Sequence, residues 1–273
     1  MLYKVRFEKA QVQAEYNDRG KGKMAQNKTK SSQRVILLDE IRGFAILCMV
    51  VYHTMYQLKF GFGVNVPIFF EGWFNIIRDI FAGAFIFISG IMCRFSRNNL
   101  KRGVQCFFLG MIITFVTPFF SSVGITFGIL HFLGISMMLY GLIGEVLENI
   151  PAFVGIIVCA MLSVLTWNVV NGFFGIPGVF ALKFPQAAYD VKVLFPFGIC
   201  GAGFASGDYF PLLPWLFVFL GGSYFGEWAK NGSLPRFFYN SHVNWLAAVG
   251  RYTIWIYMLH VPLIYLICSL IFR

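Results

Sequence analysis

Seven predominantly apolar stretches recur along this chain, most of them close to the length that a helix needs to cross a bilayer. A hydrocarbon core about 30 Å thick takes roughly 20 helical residues to span, and the pattern predicts spans near residues 36–58, 73–93, 104–120, 127–146, 152–170, 209–227 and 248–271. Composition agrees. The chain is 58% hydrophobic and only 12% charged, where a soluble domain is about a quarter charged. The expected fold class is therefore all-α: a polytopic integral membrane helical bundle with about seven transmembrane helices.

The net charge of +10 would suit a nucleic-acid partner, but its distribution argues against one. Residues 1–34 hold Lys4, Arg6, Lys9, Arg19, Lys21, Lys23, Lys28, Lys30 and Arg34 against Glu8, Glu15 and Asp18. This segment reads as a basic, disordered tail kept in the cytoplasm by its charge. The basic run Arg94–Arg102 and the residues Lys230, Arg236 and Arg251 fall on the same side if each span crosses. The opposite segments hold only Lys59, Lys183 and Lys192. The positive-inside rule then orients the chain with its N-terminus cytoplasmic and its C-terminus outside. No signal peptide is expected, because the first apolar run begins only near Val35, is long, and lacks a small-residue cleavage site after it. The bilayer is the expected partner, and a multi-pass place in the cell membrane the expected location.

Residues 35–273 read as one transmembrane domain. Its least regular part is 171–208, rich in Gly, Phe and Pro, with an apolar piece from Val191 to Phe204 that is short for a span. An extracytoplasmic or re-entrant lid over a cavity is expected there rather than an eighth helix. The six cysteines lack CxxC spacing and read as small buried hydrophobes, with no metal site or disulfide framework implied. Small-residue stretches such as Gly221-Gly222 permit helix association, and hence a homo-oligomer, without requiring one.

Ionisable groups inside a span cost several kcal/mol unless they face a partner or a wet cavity, so each is a candidate for function. The first span reads Leu38-Asp39-Glu40-Ile41-Arg42-Gly43 and continues to Val51-Tyr52-His53. Asp39 and Arg42 are three apart, on one helical face, and able to pair. His53 follows Arg42 by eleven positions, about three turns and roughly 16 Å of rise, which returns it to the Arg42 face near the other leaflet. His131 lies one turn inside the fourth span, at the depth of His53, and His260 lies mid-span beside Pro262. Arg78 and Asp79, being adjacent, point apart and each need a partner from another helix. The run Asp208-Tyr209-Phe210-Pro211-Leu212-Leu213-Pro214-Trp215 opens the sixth span, with Asp208 suited to cap that helix or to face a substrate. Ser89-Gly90 reads as small-residue helix packing. Arg94, Arg97 and Arg102 serve topology and also suit a phosphate-bearing ligand.

Four segments in order, Leu38–Ala45, Phe87–Gly90, Phe127–His131 and Asp208–Trp215, resemble the bacterial members of the heparan-alpha-glucosaminide N-acetyltransferase-like family. The resemblance runs from about Arg34 to the C-terminus. The Arg42–His53 spacing is also similar to the wider membrane acyltransferase-3 group. The resemblance implies transfer of an acyl group, typically acetyl from acetyl-CoA, to an amine or hydroxyl of an extracytoplasmic sugar or glycan, with a histidine as general base. The segment 59–72 contains no histidine, so that base must come from a span.

The reading that combines these residues is a vertical cavity. Arg42, positioned by Asp39 and aided by Arg94, Arg97, Arg102 and Arg251, would bind CoA phosphates. His53 and His131 are the catalytic candidates, and the residues alone do not rank them. Arg78, Asp79, Asp208, Trp215 and His260 are the candidates for acceptor binding. The rival reading is a transporter or binding protein for a small anion or lipid-linked sugar; the lack of an internal repeat counts against it.

Overall fold

The computed structural model describes residues 34–120 and 124–272; the basic tail expected over residues 1–34 lies outside them except for Arg34. The described chain forms helices α1 (Ile36–Tyr56), α2 (Gly72–Cys93), α3 (Asn99–Val116), α4 (Ile129–Leu147), α5 (Ala152–Thr166), α6 (Leu212–Lys230), α7 (Asn244–Arg251) and α8 (Thr253–Ile271). Among the described residues, five helices are long and apolar enough to cross a membrane: Gly72–Cys93, Asn99–Phe119, Ile129–Leu147, Ala152–Asn171 and Thr253–Ile271. The other two long helices are less apolar for visible reasons. α1 carries Asp39, Glu40 and Arg42 near its start, and α6 is diluted by Gly221, Gly222, Ser223 and Tyr224. The chain is a helical polytopic membrane protein.

Successive long helices run in opposite directions, so α1, α3, α5 and α8 share one sense and α2, α4 and α6 the other. Contacts at both ends fix this. Tyr52 late in α1 meets Arg78 early in α2, while Arg94 just past α2 meets Glu148 after α4 and Glu227 late in α6. Ile46, Ile86, Phe132 and Phe219, one each from α1, α2, α4 and α6, are fully buried where these helices cross. Phe108, Phe115, Phe153 and Leu270 point outward and are exposed, which is costly in water and favourable in lipid.

Close packing of α2 on α6 depends on absent side chains. A Cβ on Gly90 would lie 1.9 Å from the Phe219 carbonyl oxygen, and one on Gly222 would lie 2.0 Å from that of Phe87. The two glycines thus admit each other's helix backbone. This gives the Ser89-Gly90 segment the packing role expected of it, and it places Gly222 in an intrachain contact.

Three boundaries differ from the apolar runs. The last run breaks at Tyr252 (φ −103°, ψ 13°), so Arg251 ends α7 instead of lying in a span. α4 starts at Ile129 because Phe127 pairs in a short parallel bridge with Tyr209. In α6, Leu213 is extended (φ −100°, ψ 125°), so the continuous helix begins at Pro214, whose ring suits a first-turn position.

The segment after α5 holds no eighth spanning helix. It forms a hairpin of β1 (Phe173–Ile176) and β2 (Phe180–Lys183), one helical turn at Gln186–Tyr189, and a 3-10 stretch at Lys192–Phe197. Pro177-Gly178 makes the hairpin turn: Val179 N–H donates to Ile176 O (3.1 Å), and Gly178 takes the φ of +88° that this turn type requires. The segment closes over the end of the bundle where α1 finishes. The Tyr189 hydroxyl donates to Val169 O (2.6 Å), and Gly207 N–H donates to Gly124 O (3.0 Å).

Candidate functional site

The polar side chains separate into two groups, one at each end of α1. At its start, Asp39 takes ion pairs from Arg34 (2.7 Å) and Arg42 (3.4 Å), so the expected three-residue pairing is present. Glu40, buried beside it, had no assigned role in the sequence reading. Its Oε1 accepts from the backbone N–H of His242 (2.7 Å) and Val243 (2.9 Å) and from the Ser241 hydroxyl (3.0 Å). Glu40 therefore caps α7, a helix two hundred residues away in sequence, with charge of the favourable sign for a helix N-terminus.

The basic residues at this end are not equivalent. Arg94 is buried and committed: its Nε donates to Ser223 O (3.0 Å), and its guanidinium pairs with Glu148 (3.2 Å) and Glu227 (3.7 Å). That side chain ties α2, α4 and α6 together. Arg97, Arg102 and Arg251 are exposed. Arg42 is half-buried and keeps one buried guanidinium nitrogen, Nη2, without a hydrogen-bond partner among the described residues.

At the far end, the structure joins His53 to His260, not to His131. The two imidazole centroids lie 5.0 Å apart. His260 Nδ1 lies 2.6 Å from the Tyr257 carbonyl, and a carbonyl only accepts, so the ring proton sits on Nδ1 and Nε2 carries the lone pair. That Nε2 is buried without a hydrogen-bond partner among the described residues. The His53 ring likewise makes no hydrogen bond among the described residues, and Tyr52 meets it edge-to-face at 5.6 Å. A cavity of about 20 Å³ touches both histidines along with Thr117, Ile125 and Tyr257, room for one water molecule.

His131 occupies a different environment. Thr114 Oγ1 donates to Ile125 O (2.7 Å), so across the 3.3 Å to His131 Nε2 it must accept, which puts the proton on Nε2. The remaining lone pair, on Nδ1, is buried without a hydrogen-bond partner among the described residues, and Gly110 lies against the face of the ring, where a Cβ would come within 3.0–3.1 Å of Nδ1, Cε1 and Cγ. Phe127 stacks on the ring at 5.8 Å and Phe107 meets it edge-on at 5.5 Å.

Asp208 links the segment before α6 to two helices. Its Oδ2 accepts from Ile129 N–H (3.1 Å) and from the Tyr257 hydroxyl (2.8 Å). It therefore caps α4 and not α6, a correction to the sequence reading. The cause is the bridge that lays residues 207–210 alongside 124–127, supported by Phe210 N–H donating to Phe127 O (3.1 Å). Gly128 leaves room for it: a Cβ there would sit 2.7 Å from Asp208 Oδ2. Burial pushes the Asp208 carboxyl above the usual carboxylate range, against the two hydrogen bonds, which favour its charged form. Tyr257 then connects Asp208 to the backbone carbonyl that orients His260.

Arg78 and Asp79 pair with each other (2.9 Å from Nε), against the expectation that neighbours point apart. The long arginine side chain folds back along α2 and also donates to the Tyr52 hydroxyl (3.0 Å). Trp215 is buried between Phe210 (5.4 Å) and Trp167 (5.6 Å). Arg78, Asp79, Asp208 and Trp215 all line one polar chamber of about 470 Å³, together with Tyr52, Asn171 and Ser206. A second, apolar cavity of about 370 Å³ runs between α1 and α2 and shares Tyr52, Arg78, Asp208 and Phe210 with the chamber; His53 lines it.

Tyr52 and Tyr257 escaped the sequence reading, although one adjoins His53 and the other precedes His260 by one helical turn. No curated protein matches the chain, and no solved structure does. A protein-family description does match: heparan-alpha-glucosaminide N-acetyltransferase, catalytic, over residues 34–262. That range takes in all eight helices apart from the last turns of α8, and with it both polar ends of α1 and the paired histidines. The chain belongs to the heparan-alpha-glucosaminide N-acetyltransferase catalytic family, a family of transmembrane acetyltransferases.

Proposed function

We propose that this protein moves an acetyl group from cytoplasmic acetyl-CoA to an amine or hydroxyl of a sugar on the other side of a bacterial cell membrane, with His53 as the general base and His260 as its partner. The observation that carries this reading is the His53–His260 pair, whose His53 lines the apolar cavity next to Tyr52, Arg78 and Asp208, the residues that cavity shares with the polar chamber. A neutral imidazole with a free lone pair is the form that can accept a proton.

Arg42, with Asp39 behind it and exposed Arg97, Arg102 and Arg251 at the same end, is suited to CoA phosphates, since guanidinium forks match phosphate oxygens. Arg94 is omitted because it is buried and paired with Glu148 and Glu227 inside the fold. The acetyl thioester would arrive at His53, about 16 Å along α1 from Arg42.

In the transfer step, His53 takes a proton from the acceptor as its nitrogen or oxygen attacks the thioester carbonyl. The tetrahedral intermediate collapses, the carbon–sulfur bond breaks, and the imidazolium returns the proton to the CoA thiolate. Tyr52 accepts from Arg78, so its own hydroxyl proton is free to stabilise the developing oxyanion. Arg78, Asp79, Asp208 and Trp215 offer the acceptor hydrogen-bonding groups and an aromatic face.

The test uses purified protein in lipid nanodiscs, labelled acetyl-CoA and a panel of aminosugar and hydroxyl acceptors. Wild type should transfer label and His53→Ala should not, while both bind CoA. Equal turnover by His53→Ala would overturn the assignment.

A further inference from the structure

The apolar cavity beside the histidines is open toward the surrounding lipid. Its walls include Phe44, Cys48 and Val51 of α1 and Ile77 and Phe81 of α2, and Phe44, Val51 and Ile77 are 47%, 52% and 40% exposed on the outer surface of the bundle. The groove reaches from Phe44 to His53, about 14 Å of helix rise, or roughly the depth of one leaflet of a hydrocarbon core about 30 Å thick. All its polar groups lie at one end: Tyr52, His53, Arg78 and Asp208. Three of these, Tyr52, Arg78 and Asp208, also line the polar chamber, so an apolar trough and a polar, tryptophan-containing chamber meet beside the catalytic base.

We propose that the acceptor is an amphiphile, a sugar carried on a hydrocarbon chain, whose chain enters sideways from the bilayer between α1 and α2 while its sugar occupies the chamber. This rests on the acetyltransferase reading above and names the substrate class for it. Two features of the groove select this occupant. Its length and depth place a chain where a lipid tail already lies, with the sugar at the end of the groove that carries Tyr52 and Arg78. Its walls offer no hydrogen-bonding group below Tyr52 other than the Cys48 thiol, so the two amides of a pantetheine arm would lose hydration there without replacement.

The experiment uses the full chain in nanodiscs, acetyl-CoA, and methyl, hexyl and dodecyl glucosaminides, together with a dodecyl glucosaminide carrying a photoactivatable diazirine in its chain. In wild type the diazirine should label peptides of α1 and α2 that contain residues 44–51 and 77–82. Unlabelled dodecyl glucosaminide should compete, and methyl glucosaminide and acetyl-CoA should not. Cys48→Trp, which fills the groove, should lower the dodecyl-to-methyl ratio of kcat/KM at least tenfold. Within that limit, each bound methylene contributes roughly fourfold. Labelling scattered over the lipid-facing surface, labelling competed by acetyl-CoA, or a ratio unchanged by Cys48→Trp would each overturn the proposal. Specific labelling without acetyl transfer to any acceptor would retain the amphiphile site and remove the acetyltransferase reading instead.

Discussion

At the start of α1, the buried carboxylates are tied into the fold, although Arg42 and Arg94 each keep a buried Nη2 without a hydrogen-bond partner among the described residues. Glu40 accepts three hydrogen bonds from the start of α7, Asp39 takes two guanidiniums, and Arg94 holds two carboxylates and a carbonyl. At the finish of the same helix, His53 and the Nε2 of His260 have no hydrogen-bond partner among the described residues, and both histidines border cavities. Buried polar groups in native proteins are almost always satisfied. Where they are not, and where space adjoins them, a ligand supplies the missing partner. What marks the histidine end is the cavity space beside His53 and His260, and burial alone would not, because Glu40 and His53 are about equally hidden.

The sharpest break in that comparison is expected from His53→Ala, which should lower kcat by about a hundredfold to ten-thousandfold, the usual contribution of a general base. Helix content and CoA affinity should be unchanged, measured by circular dichroism and equilibrium binding. A variant with equal loss of CoA affinity would move His53 to the structural side. The expected effect of Glu40→Ala runs the other way: thermal stability in detergent falls, by about 1–2 kcal/mol for a lost helix cap, while the KM for each substrate in the surviving folded fraction stays within twofold. Gly222→Ala should destabilise the α2–α6 contact by about 1–3 kcal/mol through overpacking, read by chemical denaturation, without a change in acceptor preference. The smallest change is expected from His131→Gln. Its ring is packed against Gly110 and Phe127, and His53 pairs with His260 instead, so turnover should stay within about tenfold of wild type; a loss as large as that of His53→Ala would restore it as a base.

Much of the bundle was legible from local pattern. Span positions follow from runs of apolar residues, and the pairing of Asp39 with Arg42 follows from a spacing of three. His53 and Arg42 stood out because charge and imidazole are costly inside a span. Harder to see were partnerships across helices. Nothing near His260 in sequence points to His53, and nothing near Glu40 points to residues 241–243. Arg78 and Asp79 illustrate the opposite limit: adjacency suggested divergence, yet a flexible arginine side chain can fold back on its neighbour.

The membrane class, the number and order of the long helices, and the polar residues at the two ends of α1 can be read from residue order alone, because these depend on hydrophobic length and helical period. The pairing of His53 with His260, the capping of α4 by Asp208 and of α7 by Glu40, and the apolar groove that reaches His53 from the side emerge only from the packed helices. Those facts depend on which helices touch, and helix contact is set by where glycine and bulk coincide on two faces distant in sequence, a coincidence that no local window contains.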